Sequence, residues 1–120
     1  MRQRPPAVSV ACALALAAGA LAVGCTNKSA KANTVTVTDT ECTLKTTSLD
    51  PGDETFTVVN RASNEVEFYV YTRTGQKVDE VEHVAPGTSK TLRVQLEGGH
   101  YFGTCKYEGK PDIRNAFTVG

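Results

Sequence analysis

Residues 66–71 read Val66-Glu67-Phe68-Tyr69-Val70-Tyr71, with an apolar side chain at every even position and a charged or amphipathic one between. Side chains alternate between the two faces of a strand. This pattern therefore places Val66, Phe68 and Val70 on a buried face and Glu67, Tyr69 and Tyr71 on the opposite one. The same period of two extends outward in both directions. Val35 and Val37 alternate with threonines, and Phe56 and Val58 with Thr55 and Thr57. Leu92, Val94 and Leu96 alternate with Arg93 and Gln95, and Tyr101, Gly103 and Cys105 share one face of a late strand. Turn-forming clusters separate these runs: Asp50-Pro51-Gly52-Asp53, Arg73-Thr74-Gly75-Gln76, Ala85-Pro86-Gly87-Thr88, Gly98-Gly99 and Gly109-Lys110-Pro111-Asp112. Seven or eight short strands spaced in this way predict an all-β Greek-key sandwich or flattened barrel over residues 34–120.

Upstream of the strands the chain has a different character. Arg2 and Arg4 precede an uncharged, alanine-rich apolar run over 7–23, the layout of a secretory signal. The run is short for a membrane span and stops at a cysteine flanked by small residues. Leu21-Ala22-Val23-Gly24-Cys25 resembles the bacterial lipobox, with its leucine one position early. Residues 1–24 are thus expected to be a lipoprotein signal peptide and Cys25 the acylated residue, which anchors the protein to the outer face of the bacterial cytoplasmic membrane. The alternative is an ordinary signal-peptidase site and a secreted protein. Residues 25–33, small and polar, are expected to be the lipidated cysteine and a flexible tether.

Removing Arg2 and Arg4 leaves 11 of the 13 basic residues against 13 acidic ones, a net charge of about −2 in the mature chain. Such a balance argues against nucleic acid as a partner. Of the four cysteines, Cys12 leaves with the signal and Cys25 is used by the lipid. Cys42 and Cys105 remain, and in an oxidising compartment two leftover cysteines default to a disulfide.

Catalytic signatures are weak. His83 and His100 are far apart in sequence, Ser48, Ser63 and Ser89 lie in turn-like contexts without a nucleophile elbow, and no glycine-rich phosphate loop or paired-cysteine zinc spacing occurs. The expectation is a protein that is not an enzyme. Asp79-Glu80-Val81-Glu82-His83 is more informative, because Glu80 and Glu82 share a strand face next to an imidazole, a donor set suited to ferric iron, copper(II) or zinc. The same residues would also serve as a charged edge that discourages strand pairing.

The stretch Ala85-Pro86-Gly87-Thr88, a strand over 90–96, and Gly98-Gly99-His100-Tyr101-Phe102-Gly103-Thr104-Cys105 resembles the cupredoxin pattern of a Pro-Gly turn, a strand and a late Gly-x-Tyr-x-x-x-Cys. Residues 60–68 resemble the cupredoxin strand that carries the first histidine ligand, and the likeness covers nearly the whole domain. A blue-copper site needs two histidines, a cysteine and a weak axial methionine. Here Val66 and Glu67 fill the histidine slot, no histidine follows Cys105, and the one methionine is Met1. No blue-copper site is expected.

The chain is more similar still to the amino-terminal cupredoxin-like domain of EfeO-type iron-uptake proteins. The matching features are Val35-Thr36-Val37-Thr38-Asp39 followed by Cys42, Val66-Glu67-Phe68, Glu80-Val81-Glu82 before Ala85-Pro86-Gly87, and Cys105. The resemblance implies a copper or iron ion held by Cys42, Glu67, Glu82 and Cys105, with Glu80 as a further candidate. It also implies a metal-uptake permease or peroxidase component as partner. That family continues into a helical domain with a His-x-x-Glu iron-binding motif, which these 120 residues lack. If Cys42 and Cys105 are oxidised to each other, the site reduces to carboxylates with His83 or His100. The competing expectation is a disulfide-stapled sandwich without metal, presenting Tyr69, Tyr71 and the 98–100 loop to a protein partner.

Overall fold

The computed structural model describes residues 32–120. The expected signal 1–24, the lipidated Cys25 and residues 26–31 lie outside the described residues. Nine strands follow one another: β1 (Ala32–Val37), β2 (Cys42–Leu44), β3 (Ser48–Leu49), β4 (Gly52–Asn60), β5 (Val66–Thr72), β6 (Lys77–Val84), β7 (Ser89–Leu96), β8 (Gly99–Tyr107) and β9 (Ile113–Val119). They form a four-stranded sheet in the order β2-β1-β4-β7 and a five-stranded sheet in the order β3-β9-β8-β5-β6. The β1–β4 and β3–β9 pairs are parallel and the rest antiparallel. No helix among the described residues is long and apolar enough to cross a membrane. The expected β-sandwich is the fold observed.

The period of two in the sequence is what builds the core. Val35, Val37, Phe56, Val58, Leu92, Val94 and Leu96 face inward from the first sheet, and Val66, Phe68, Val70, Cys105, Phe117 and Val119 from the second. Phe56 reaches across the sandwich to Phe68 at 5.3 Å and to Phe117 at 5.7 Å between ring centroids. Both spacings lie in the favoured range for aromatic pairs. Cys42 of β2 and Cys105 of β8 are joined by a disulfide, a covalent bond between the two sheets.

Strand β1 starts at Ala32, earlier than the tether expected over 25–33 allows. The reason is Asn33, whose side chain is buried and exchanges two hydrogen bonds with the backbone of Thr46, donating from Nδ2 at 2.9 Å and accepting at Oδ1 at 3.0 Å. A polar residue so paired is part of the domain, because leaving Thr46 unsatisfied would cost roughly 1–3 kcal/mol. Asn60 does similar work at the end of β4. Its amide donates to the carbonyls of Asn64 and Val84, both at 2.8 Å, and accepts from the Ala62 N–H at 2.7 Å. These bonds tie the start of β5 to the end of β6, the two strands that carry the acidic residues.

Gly103 lies opposite Val70 in the β5–β8 ladder. A Cβ there would stand 2.9 Å from Cζ of Phe68. Gly103→Ala is expected to destabilise the domain by about 1–3 kcal/mol through overpacking, as read from chemical denaturation. The Cys42–Cys105 bond closes a separation of 63 residues. Replacing both cysteines by alanine should remove about 4 kcal/mol on the chain-entropy model and lower the thermal midpoint by roughly 15–30 °C.

Candidate metal-binding face

Strands β5 and β6 carry the candidate residues, and their register determines where each one points. Phe68 pairs with Cys105 and faces the core, so Glu67 and Tyr69 on either side of it face out. Tyr69 lies opposite Glu80 on β6. Between Val66–Val84 and Phe68–Val81 the ladder shifts: two steps along β5 match three along β6. The extra residue is accommodated around Glu82 and His83, and His83 adopts a left-handed φ of 57°. Bulges of this kind redirect side chains. Here Glu82, one residue past the inward Val81, comes to the outer face.

On that face the Tyr69 phenol is the meeting point. Its oxygen lies 3.0 Å from Oε1 of Glu67 and 3.1 Å from Oε2 of Glu82. Desolvation raises the Tyr69 pKa, and the bonds to the two carboxylates raise it further. Glu80 and Glu82 share a hydrogen bond that pushes Glu82 above the ordinary carboxylate range and, with Lys77, holds Glu80 below it. Glu80 is paired with Lys77. His83 Nδ1 lies 3.0 Å from Glu65 Oε1, and its Nε2 lies 3.8 Å from Glu82 Oε1. A hollow of about 330 Å³ lined by Glu65, Glu67, Lys106, Tyr107 and Glu108 opens beside Glu67.

Of the expected ligand set, the structure links Glu67 and Glu82 through Tyr69, keeps Glu80 on the same strand as Glu82, and removes the two cysteines. Cys42 and Cys105 are bonded to each other, and among the described residues there is no free thiol. Cys105 also lies on the core face of the five-stranded sheet, whereas Glu67 and Glu82 lie on its outer face, so the four residues cannot surround one ion. Among the described residues no three of the His, Cys, Asp and Glu side chains are placed to hold a metal together. The type of site found in blue-copper proteins does not fit these residues. His100 sits near the other end of β8, opposite Thr118 on β9, away from the acidic group. Sequence reasoning missed Glu65 as the partner of His83 and Tyr69 as the link between the carboxylates. The alternation that puts Glu67 and Tyr69 on one face was a signal for the second.

A family model for the cupredoxin-like domain matches residues 7–119. The chain belongs to the cupredoxin-like domain family. This cupredoxin-like chain is 32% identical over 71 residues to the iron uptake system component EfeO of Escherichia coli K12. The same figures hold for EfeO of Shigella flexneri. The alignment spans 59% of this chain and 19% of the EfeO protein. Among solved structures, dithionite-reduced auracyanin from Roseiflexus castenholzii superposes with a TM-score of 0.57 at 13% identity, over 76% of this chain and 98% of that one. That likeness concerns the fold.

The Glu65 hydrogen bond raises the His83 pKa above its ordinary value of 6.5. The stabilisation from this pair is therefore present below 6.5 and is lost as pH rises through the folded-state value. A histidine titration followed by nuclear magnetic resonance should give His83 a midpoint above 6.5 in the native protein, falling toward 6.5 in Glu65→Gln.

Proposed function

We propose that this protein is a lipid-anchored, extracytoplasmic metal-binding module, without enzymatic activity of its own, that serves as an accessory in iron uptake or metal redox handling. It is anchored through Cys25 on the outer face of the cytoplasmic membrane and hands its ion to a metal-uptake permease or a peroxidase component. The cargo is ferric iron, with copper(II) as the weaker alternative. The observation that carries this reading is the donor set. With both thiols consumed, what gathers on the β5–β6 face is oxygen from Glu67 and Glu82, with Glu80 beside them. Carboxylate oxygen suits hard, highly charged cations, whereas copper draws more from nitrogen and sulfur ligands. The similarity to the EfeO iron uptake component supports the same choice.

Electrostatics point in the same direction. Glu80 raises the Glu82 pKa above the ordinary carboxylate value. A multivalent cation relieves that repulsion, so binding competes with the Glu82 proton and strengthens as pH rises through its raised pKa. A second reading has one observation in its favour. Tyr69 and Tyr71 stack at 5.8 Å on the outer face, and aromatic side chains of this kind anchor protein interfaces.

Titration of the purified chain with ferric iron and copper(II) separates the two. The metal reading expects saturable binding of one ferric ion, weakened at least about tenfold by Glu67→Gln or Glu82→Gln and unaffected by thiol-blocking reagents. Absence of binding for either ion would leave the disulfide-stapled interaction module as the function.

A further inference from the structure

Thr104 of β8 is only 3% exposed, and its hydroxyl is the one buried side-chain polar group without a hydrogen-bond partner among the described residues. Leaving a buried hydroxyl unpaired costs stability, so such a group points to a use beyond packing. Register defines its surroundings. Cys105 faces the core, which turns Thr104 to the outer face of the five-stranded sheet, opposite Tyr69 on β5 and Arg114 on β9. Phe102 and Lys106 stand two residues away along its own strand. Threonine is shorter than all four, so its position is a dip in the sheet surface. A hollow of about 510 Å³ opens there, with Tyr71, Arg73, Phe102, Thr104, Lys106 and Arg114 on its walls. That volume is within the range of small-molecule sites.

The charge of the hollow is lopsided. Three cations share it with one acid, Asp112, and that acid is engaged by Lys106 at 2.9 Å. Neither Arg73 nor Arg114 has a carboxylate partner among the described residues. Arg114 lies over the Phe102 ring instead, 4.2 Å from its centroid. Arg73 is held against β8, because its backbone N–H donates to the His100 carbonyl at 3.1 Å. Tyr71 pairs with Phe102 across the β5–β8 ladder, which makes the remaining wall aromatic.

We infer that this hollow is a binding site for a small planar organic carboxylate, its flat body against Tyr71 and Phe102 and its charge held by Arg73 and Arg114. The fork of a guanidinium matches the two oxygens of a carboxylate, and aromatic faces accept a flat apolar body. The Thr104 hydroxyl supplies a further donor, which the ligand reaches by displacing the Lys106 side chain. No metal ion takes part, so the inference stands apart from the metal-binding reading above.

The test titrates 2-naphthoate into the purified full chain in metal-free buffer, followed by calorimetry and by backbone amide shifts in nuclear magnetic resonance. Two controls run beside it: 2-naphthylmethanol, the ring without the charge, and inorganic phosphate, the charge without the ring. Saturable binding of 2-naphthoate is expected, at least about tenfold tighter than either control, with the largest shifts at Phe102, Thr104 and Arg114. Arg114→Gln should weaken it about tenfold or more. Thr104→Val should weaken it roughly threefold to tenfold without lowering the thermal midpoint, because the variant removes an unpaired hydroxyl; a merely structural threonine would leave the affinity unmoved. Absence of saturable 2-naphthoate binding, affinity equal to that of the alcohol or of phosphate, or shifts centred elsewhere overturns the inference. These readouts come from the native chain, so they decide it whether or not the variants fold.

Discussion

The position of Phe68 opposite Cys105 governs most of what this domain can do. At that rung of the β5–β8 ladder the aromatic cluster of Phe56, Phe68 and Phe117 meets the covalent bond between the sheets. Both side chains are fully buried. Because the side-chain period of a strand is two, fixing Phe68 inward forces Glu67 and Tyr69 outward, and a slip of one residue would bury a carboxylate. The core therefore specifies which face carries Glu67 and Tyr69. Gly103 belongs to the same constraint, since only a residue without Cβ lets β8 pass the edge of the Phe68 ring.

That arrangement also explains how a cupredoxin-like fold can exist without the donor set of a blue-copper site. The late cysteine, which in such a site would be a thiolate, is here part of the sheet-to-sheet bond. The acidic side chains lie on the outer surface of the five-stranded sheet, where Glu82 accepts a hydrogen bond from Tyr69. Lys77 and Lys106 offset part of the negative charge that results, and Asn60 holds the ends of β5 and β6 in place from beneath. Glu67, Tyr69 and Glu82 thus stand on strands anchored in the core, not on a loop, which favours a fixed geometry.

How much of this was legible beforehand differs between elements. Alternation in residues 66–71 and 92–96 placed their core faces correctly, because burial of every second side chain is a local property of the chain. The strand near Ala32 was read as tether because Asn33 is polar, and its pairing with Thr46 depends on a residue 13 positions away. Residue alternation places Glu80 and Glu82 on one strand face, and Tyr69 links Glu82 to Glu67 across the ladder. The grouping of Cys42 and Cys105 with them was not realised, since facing depends on which strand each residue pairs with and on which side of the sheet it falls.

By itself the sequence determined the all-β class, the core residues of most strands, the loss of the blue-copper donors and the acidic character of β6, all of which follow from residue type and short-range period. Only the tertiary structure decided the rest. Cys42 and Cys105 became a disulfide because folding brings β2 and β8 face to face across the core, 63 residues apart in sequence. Val84 returned to the core three residues after Val81 because one extra residue is absorbed in β6 opposite β5. Tyr69 became the junction of two carboxylates because cross-strand register, which no local pattern encodes, set β6 beside it.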